Sequence, residues 1–452
     1  MESNTTPLSR DARTPLAANG SWIEHFDPED QHFWQTHGQR IAKRNLWLSI
    51  FAEFLGFAVW QLWAVTAPML TRVGYSLTPD QIFWLIAVPN LVGATLRFPY
   101  TFAVPRFGGR NWTVISSLLL ILPCIGLVYV VLNPGTSFTV MLLLAALGGV
   151  GGGNFASSMA NISFFYPEAE KGRALGLNAA GGNLGVAVAL LVIPLVVVSG
   201  SGIALERAGL LWIPLALLSA LLAWRYMSNL STAKTDFSGY AGAFRHRHTW
   251  IMSVLYIGTF GSFIGFSGAF PTLISIAFPD VSLGLAFMGA LVGSLARPLG
   301  GSLADRFGGA RMTVVSFVMM IIGALGVIHA LEIGSFLLFF TTFMLLFVFT
   351  GVGNGATYRM IPAIFRAGVE TRDYAAMNVV KRHAAAAIGV IAAIGAYGGF
   401  LVPRGFALSS SLSGSLVMAL YAFIGFYLLC IAIVWGCYMR RGNRFERLGV
   451  HV

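Results

Sequence analysis

The sequence predicts an all-α integral membrane protein with twelve transmembrane helices in two pseudo-symmetric six-helix halves. Three observations carry that expectation. First, 56% of the 452 residues are hydrophobic and only 10% are charged, against about 25% charged in an ordinary soluble domain; mean hydropathy is +0.74. Second, twelve stretches reach the roughly 20 apolar residues that a helix needs to cross a bilayer. Third, a stretch of the first half recurs in the second at a constant offset of 200 residues. The composition excludes disorder, a secreted disulfide scaffold and a soluble globular fold.

The twelve spans lie near 45–70, 81–104, 112–133, 138–166, 174–199, 208–227, 249–275, 283–304, 312–332, 335–364, 382–403 and 411–439. Connections between them are short, except for 228–248, which is polar and contains Arg245, His246, Arg247 and His248. This divides the chain into an N-terminal tail (1–44), a first six-helix half (45–227), a linker (228–248), a second half (249–439) and a C-terminal tail (440–452). The N-terminal tail has six acids and five bases and no apolar signal segment. Within it, Trp22, Phe26 and Trp34 alternate with Glu24, Asp27, Glu29 and Asp30. That segment reads either as lying on the membrane surface or as a flexible tail.

The charges are few and mostly arginine. There are 29 Lys and Arg against 18 Asp and Glu, a net +11, and only four are lysines: Lys43, Lys171, Lys234 and Lys381. If the N-terminus is cytoplasmic, the inside tails and loops, with the span ends bordering them, hold 23 of the 29. The outside loops hold three, Arg72, Arg207 and Arg404. This asymmetry predicts cytoplasmic N- and C-termini. It accounts for most of the basic charge with no role for nucleic acid. The three cysteines, Cys124, Cys430 and Cys437, lie in apolar runs and suggest neither a disulfide framework nor a metal site. No cofactor or metal is expected, and a monomer in the lipid bilayer is the expected state.

Residues 91–116 and 291–316 match at eleven of 26 positions without a gap, including the run Arg-Phe-Gly-Gly. GVG at 149–151 also recurs at 351–353. A parallel six-span repeat places a substrate site between the halves, near the midplane. The second copy contains Gly301, Asp305, Arg306, Gly308, Gly309 and Arg311; the first keeps Arg106 and Arg110 but has Pro105 in place of the aspartate. This loop resembles that of the major facilitator superfamily between helices 2 and 3 and between helices 8 and 9. An aspartate at a helix end among arginines can act as a cytoplasmic latch that holds one conformation. Positive-inside anchoring alone would explain the arginines, but not Asp305 or the spaced glycines.

The remaining three cations, Arg97, Arg297 and Arg359, fall within spans. Arg97 and Arg297 occupy equivalent repeat positions, each about eight residues, or ~12 Å of helix, before its loop. An arginine at that depth costs at least ~2.5–3.5 kcal/mol on insertion scales. Two such costs at symmetric positions call for a function. A guanidinium stays charged and its planar fork matches planar oxyanions. Two of them near an axis, with few carboxylates nearby, read as an anion site. Glu53, in the first span at similar depth, is the one acid well inside. It either neutralises an arginine in the empty site, carries a proton or forms a static ion pair. Arg359 either pairs with Glu53 or reaches the cytoplasmic surface.

Spans 4 and 5 are rich in small residues, which let helices approach closely and slide. Asn183 in span 5 needs an amide partner, and its counterpart in span 11 is Ala387, so the pocket should be asymmetric. GGGNFASSMANISFFYP (151–167), GRALGLNAAGGNLG (172–185), the glycine-rich 387–399 and WIMSVLYIGTFGSFIGFS (250–267) together resemble the NarK-type nitrate/nitrite porter family of the major facilitator superfamily. The resemblance runs from Phe26 onward. It implies that Arg97 and Arg297 bind the anion, that Asn183 and Tyr256 line the pocket, and that Phe57, Phe155 and Phe260 wall it. Such rings suit a thin, planar, weakly hydrated ion. Glu53 and Arg359 depart from the family pattern, which leaves the coupling mode open.

The expected function is therefore nitrate and nitrite transport across the plasma (inner) membrane by alternating access, as nitrate/nitrite exchange or as proton-coupled uptake. The alternatives are a carrier of another small anion, such as formate or a monocarboxylate, and a transporter-like anion sensor. The tails are short for a signalling output. No Gly-x-x-x-x-Gly-Lys loop is present, which argues against an ATP-driven pump or an enzyme.

Overall fold

Backbone polar groups in a bilayer must be satisfied within the segment, so a chain this apolar folds into helices. The computed structural model describes residues 22–199, 202–233, 237–367 and 374–440. Among these, twelve helices are long and apolar enough to cross a membrane. They are α1 (Gln31–Val73), α2 (Pro79–Phe107), α3 (Gly109–Leu132), α4 (Phe138–Phe165), α5 (Glu168–Val196), α6 (Arg207–Tyr226), α7 (Arg247–Ala277), α8 (Leu283–Phe307), α9 (Gly309–Glu332), α10 (Phe336–Arg366), α11 (Arg382–Ser413) and α12 (Val417–Met439). The first 21 residues of the expected N-terminal tail, and the expected C-terminal tail beyond Arg440, lie outside the described residues.

Packing repeats with a shift of six helices. The pairs α1–α5, α2–α4 and α3–α6 recur as α7–α11, α8–α10 and α9–α12. The main contacts that join the two sets are α2–α11, α5–α8 and α1–α7. A pseudo-two-fold axis relates the first two of these and maps the third onto itself. Helices α3, α6, α9 and α12 lie outermost. Their exposed leucines, isoleucines and valines, such as Leu118, Leu122 and Ile125 on α3 and Val315, Val318 and Ile322 on α9, recur every three or four residues. That is one helix face, and lipid is the solvent that such a face suits.

Two boundaries differ from the sequence expectation by ten residues or more, each for a local reason. α1 starts at Gln31 rather than 45, because the Asp30 carboxylate accepts the backbone N–H groups of His32 (2.9 Å) and Phe33 (3.1 Å) as an N-cap. α11 runs on to Ser413 and stops at Gly414, whose φ of +66° ends the helix. Arg404, expected in an outside loop, is therefore a helical residue.

The aromatic segment 22–34 meets protein, so it is neither a free tail nor a lipid-facing strip. Trp22–Ile23 pairs in parallel with Asn229–Leu230. Phe26 meets Phe165 edge-on at 5.4 Å, and Trp34 Nε1 donates to Glu170 Oε1 at 3.0 Å. Together with Ile162, Tyr166 and Leu230 these form a second apolar cluster, at the end of the bundle where α4 passes into α5.

The repeated Arg-Phe-Gly-Gly loops show why their first glycine recurs. Gly108 and Gly308 take φ of +86° and +92°, which L side chains rarely adopt. At Gly108 a Cβ would also sit 2.3 Å from Asn229 Oδ1, the atom that accepts the Arg110 backbone N–H at 2.9 Å. Gly108→Ala is expected to cost more than about 1 kcal/mol of stability, read as a lower thermal midpoint of the purified protein. An unchanged midpoint would contradict this reading of the loop.

Candidate functional site: two buried arginines between the halves

Arg97 enters the centre from α2 and is 1% exposed. Its Nε donates to the Gly152 carbonyl of α4 at 3.2 Å and its Nη1 to the Ala392 carbonyl of α11 at 2.8 Å. Nη2 is buried with no hydrogen-bond partner. The guanidinium carbon lies 4.5 Å from the Phe155 ring centroid, 5.2 Å from Phe260, 5.5 Å from Trp60 and 6.0 Å from Phe57. A desolvated cation–π contact can contribute ~2 kcal/mol. Two carbonyls and several ring faces thus offset much of the cost of burying this charge, without neutralising it.

Arg297, from α8, is 9% exposed; its Nη1 is also buried without a partner, and its guanidinium carbon lies 5.6 Å from the Tyr358 ring. The two arginines are close enough to repel one another. Tyr256 stacks on Phe260 at 5.3 Å and 20°, and sits 6.4 Å from Tyr358. Phe57 and Phe155 are 6.1 Å apart at a 32° tilt. Asn183 of α5 is 1% exposed, and both atoms of its amide lack partners. Buried polar groups are rarely left unpaired in native structures, so these three side chains have the capacity for a ligand built in.

Two local features set this geometry. α7 opens into a π-helical turn at Ile257–Gly261, directly between Tyr256 and Phe260; such turns concentrate at functional positions. α11 lies against that turn backbone to backbone. A Cβ on Gly398 would come within 2.3 Å of the Gly261 Cα, and one on Gly395 within 2.4 Å of the Tyr256 ring. The glycines of 387–399 are therefore what bring Ala392 to Arg97.

Glu53 is fully buried on α1. Its Oε2 accepts from Asn178 Nδ2 at 2.6 Å, and its Oε1 has no partner. It feels the fields of Arg97 and Arg297, yet its polar partners are the Asn178 amide and the Ser158 hydroxyl and not a guanidinium. A Cβ on Gly182 would press to 2.7 Å from Oε1, so a glycine there makes room for the carboxylate.

Arg359 is not beside Glu53. It is largely exposed and its Nε meets Asp305 Oδ1 at 2.5 Å. The cause is the close α8–α10 contact, where a Cβ on Gly355 would lie 2.7 Å from the Gly301 backbone nitrogen; the next turn of each helix carries Arg359 and Asp305. Asp305 thus takes its partner from α10 and not from the flanking Arg306 or Arg311. Arg306 lies over the Phe307 ring, and Arg311 is exposed. Arg106 is exposed as well, whereas Arg110 Nε donates to the Trp224 carbonyl at the end of α6.

On the side away from the N-terminal segment, α2 and α11 close over the centre. Arg404 Nη1 donates to Asp80 Oδ1 at 2.8 Å and its guanidinium carbon stands 4.0 Å from the Trp84 ring. Phe83 stacks on Phe406 at 6.3 Å, and Tyr397 Oη and Thr95 Oγ1 share a hydrogen bond at 2.9 Å.

Several residues around the site were not singled out from the sequence. Asn154 and Asn354 share the 200-residue offset, within G-x-G-N at 151–154 and 351–354, and both are buried with unpartnered amide atoms. Setting the GVG runs at 149 and 351 against each other, an offset of 202, hid that match. Tyr358 carries a buried, unpartnered hydroxyl and was masked by the charge of its neighbour. Trp60 and Asn178 gave no signal beyond their types.

Helices paired in two sets of six around a buried polar centre define a secondary transporter, not an enzyme. The Major Facilitator Superfamily profile matches residues 46–403. The chain is 44% identical to the nitrate/nitrite transporter NarU of Salmonella typhimurium, over 93% of this chain and 96% of that one. It is 37% identical to a Thermus thermophilus protein described as the probable nitrate/nitrite antiporter NarK2, over 94% and 98%. Among solved structures, a D-xylose-proton symporter superposes with a TM-score of 0.66 at 14% identity, covering 87% of this chain and 97% of that one, which speaks for the fold alone. The chain belongs to the NarK-type nitrate/nitrite porter family of the major facilitator superfamily.

Because Arg404 bridges α2 and α11, Arg404→Ala should loosen the closure on the side away from the N-terminal segment. A cysteine introduced at the buried Ile86 should then react several-fold faster with a membrane-impermeant maleimide than in the parent, above the background of the three native thiols. Equal labelling rates would contradict a sealing role.

Proposed function

We propose that this protein moves nitrate and nitrite across the inner membrane by alternating access, acting as a monomer with both termini in the cytoplasm. The observation that carries the proposal is that two guanidinium groups, each with a buried and unpartnered N–H end, lie against aromatic rings at the centre of the bundle, with the unpartnered amide of Asn183 buried on α5. A planar oxyanion satisfies both forks in its plane and presents its faces to Phe57, Phe155, Tyr256 and Phe260. A tetrahedral anion has no flat face to place there. Both nitrate and nitrite are planar and small.

The two halves, 45–227 and 249–439, rock about the anion while the linker 228–248 keeps them joined. With the site empty, Arg97 and Arg297 repel across the interface. One bound anion offsets that repulsion and allows closure, so the loaded carrier crosses. The Asp305–Arg359 pair and the loops carrying Arg106, Arg110, Arg306 and Arg311 hold the cytoplasmic ends of the moving helices.

Importing one anion against a negative-inside potential of 100 mV costs ~2.3 kcal/mol. Exchange of nitrate for nitrite avoids this cost, and one proton carried with each nitrate cancels it. Glu53 is the candidate to carry that proton: it is a fully buried carboxyl, and the two arginines that favour its ionised form are the groups whose charge a bound anion offsets. Net uptake then runs with a proton on Glu53, and exchange needs none.

The test uses purified protein in proteoliposomes. An acidic exterior should accelerate nitrate uptake, and sulfate should neither be taken up nor compete. Glu53→Gln should abolish the response to the pH gradient while nitrate/nitrite exchange persists. Uptake of sulfate at rates near those of nitrate would contradict the planar-anion site. An intact pH response in Glu53→Gln would remove Glu53 from coupling.

A further inference from the structure

A second polar feature lies next to the anion site but inside the first half of the molecule. A cavity of about 10 Å³ separates α1, α3 and α4, with Glu53, Ser49, Thr113, Ser116 and Ser157 among its walls. That is room for about one water. It begins at Glu53 and extends toward the end of the bundle that carries the N-terminal segment: Ser49 is one turn before Glu53 on α1, and Thr113 and Ser116 open α3 just after the Gly108 turn.

The hydrogen-bond directions of the walls decide what the cavity can hold. Thr113 Oγ1 donates to the Gly109 carbonyl at 2.8 Å, Ser116 Oγ to the Thr113 carbonyl at 3.3 Å, and Ser157 Oγ to the Asn154 carbonyl at 3.1 Å. Each hydroxyl has spent its one proton on the backbone and has only acceptor lone pairs left. Glu53 Oε1 has no protein partner either. Ser49 Oγ and Ser158 Oγ, which accept from Asn161 and Asn178, keep a proton to donate, and the Asn154 Nδ2 on the wall has no partner, so the cavity presents both acceptors and donors and suits a water. The charged and titratable groups acting on Glu53 from neighbouring helices are Arg97 of α2, Arg297 of α8 and Tyr358 of α10; α3, α4 and α5 contribute neutral hydroxyls and amides. The two cations disfavour a resident metal cation, whereas a proton merges into the carboxyl group.

We propose that this chamber is the proton exit from Glu53 to the cytoplasm, running through the first half alone and separate from the route of the anion. The inference rests on the proton-coupling reading of Glu53. In the release step the O–H bond of the Glu53 carboxyl breaks. The proton passes to a chamber water as hydronium, and the carboxylate left behind stays held by Asn178 Nδ2. The far wall is a narrow closure: Asn161 Nδ2 donates to Ser49 Oγ at 3.5 Å. α3 presses on that asparagine so closely that a Cβ on Gly109 would lie 1.8 Å from Asn161 Oδ1. Parting the Asn161–Ser49 contact opens the chamber, and this needs no movement between the halves.

The test measures two modes in proteoliposomes holding the full chain: nitrate uptake driven by an acidic exterior, and nitrate/nitrite exchange with no gradient. Thr113→Val and Ser49→Ala remove a chamber oxygen at nearly constant shape. Both should slow gradient-driven uptake at least tenfold and leave exchange within about twofold. Wild-type gradient-driven uptake in both variants, alongside its loss in Glu53→Gln, would overturn the chamber as the route but keep Glu53 as the carrier. A pH response that survives Glu53→Gln would overturn the coupling reading itself. Loss of both modes in both variants would show that these hydroxyls support the fold, and would overturn the proposal. Uptake driven by a sodium gradient in place of a proton gradient would also overturn it.

Discussion

Arg97 holds the middle of this molecule. Its guanidinium reaches from α2 to the carbonyl of Gly152 on α4 and to that of Ala392 on α11, so one side chain ties three helices and crosses from one half to the other. A charge held at membrane depth is costly, and much of the surrounding structure serves to tolerate it: the rings of Phe155, Phe260, Trp60 and Phe57, the π-helical turn that positions Phe260, and the glycines that admit α11. None of these groups is negatively charged. With Arg297 buried on α8, these two cations are the core of the proposed anion site.

Symmetry and its breaking divide the labour. The 200-residue repeat supplies paired features: Arg97 and Arg297, the Gly108 and Gly308 turns, Asn154 and Asn354. Features present once sit mostly in the first half: Glu53 with Asn178, Asn183, and the hydroxyl-lined chamber. In the proposed function, an anion held between the halves takes a contribution from both, which fits the recurrence of the arginines. A proton needs a single carboxyl, and that carboxyl lies in one half. The two halves are thus alike as rocking bodies and unlike in chemistry.

Much of this was legible in the sequence because it depends on type and spacing. Apolar run lengths define the twelve spans, and the gapless repeat brings Arg97 and Arg297 to equivalent positions. What depends on side-chain direction was not legible. Arg359 looked like a buried cation because its neighbours are apolar, yet it leaves the helix toward Asp305. The aromatics at 22–34 read either as a membrane-surface segment or as a flexible tail, because a sequence does not show that Phe165, Tyr166 and Leu230 assemble a protein surface for them. Arg404 looked like a loop charge and is a helical residue that ties α11 to α2 through Asp80. Asn183 was recognisable, since an amide in a glycine-rich apolar helix needs a partner; that its amide is left free is a property of the packing.

The claim that two guanidinium forks hold one planar anion is tested most directly by equilibrium binding of nitrate to the purified protein, followed through the fluorescence of tryptophans such as Trp60 beside Arg97. The account predicts one nitrate per chain, displaced by nitrite and not by sulfate. It also predicts loss of binding in both Arg97→Lys and Arg297→Lys, since lysine keeps the charge and lacks the planar fork. Wild-type affinity in either lysine variant would contradict it.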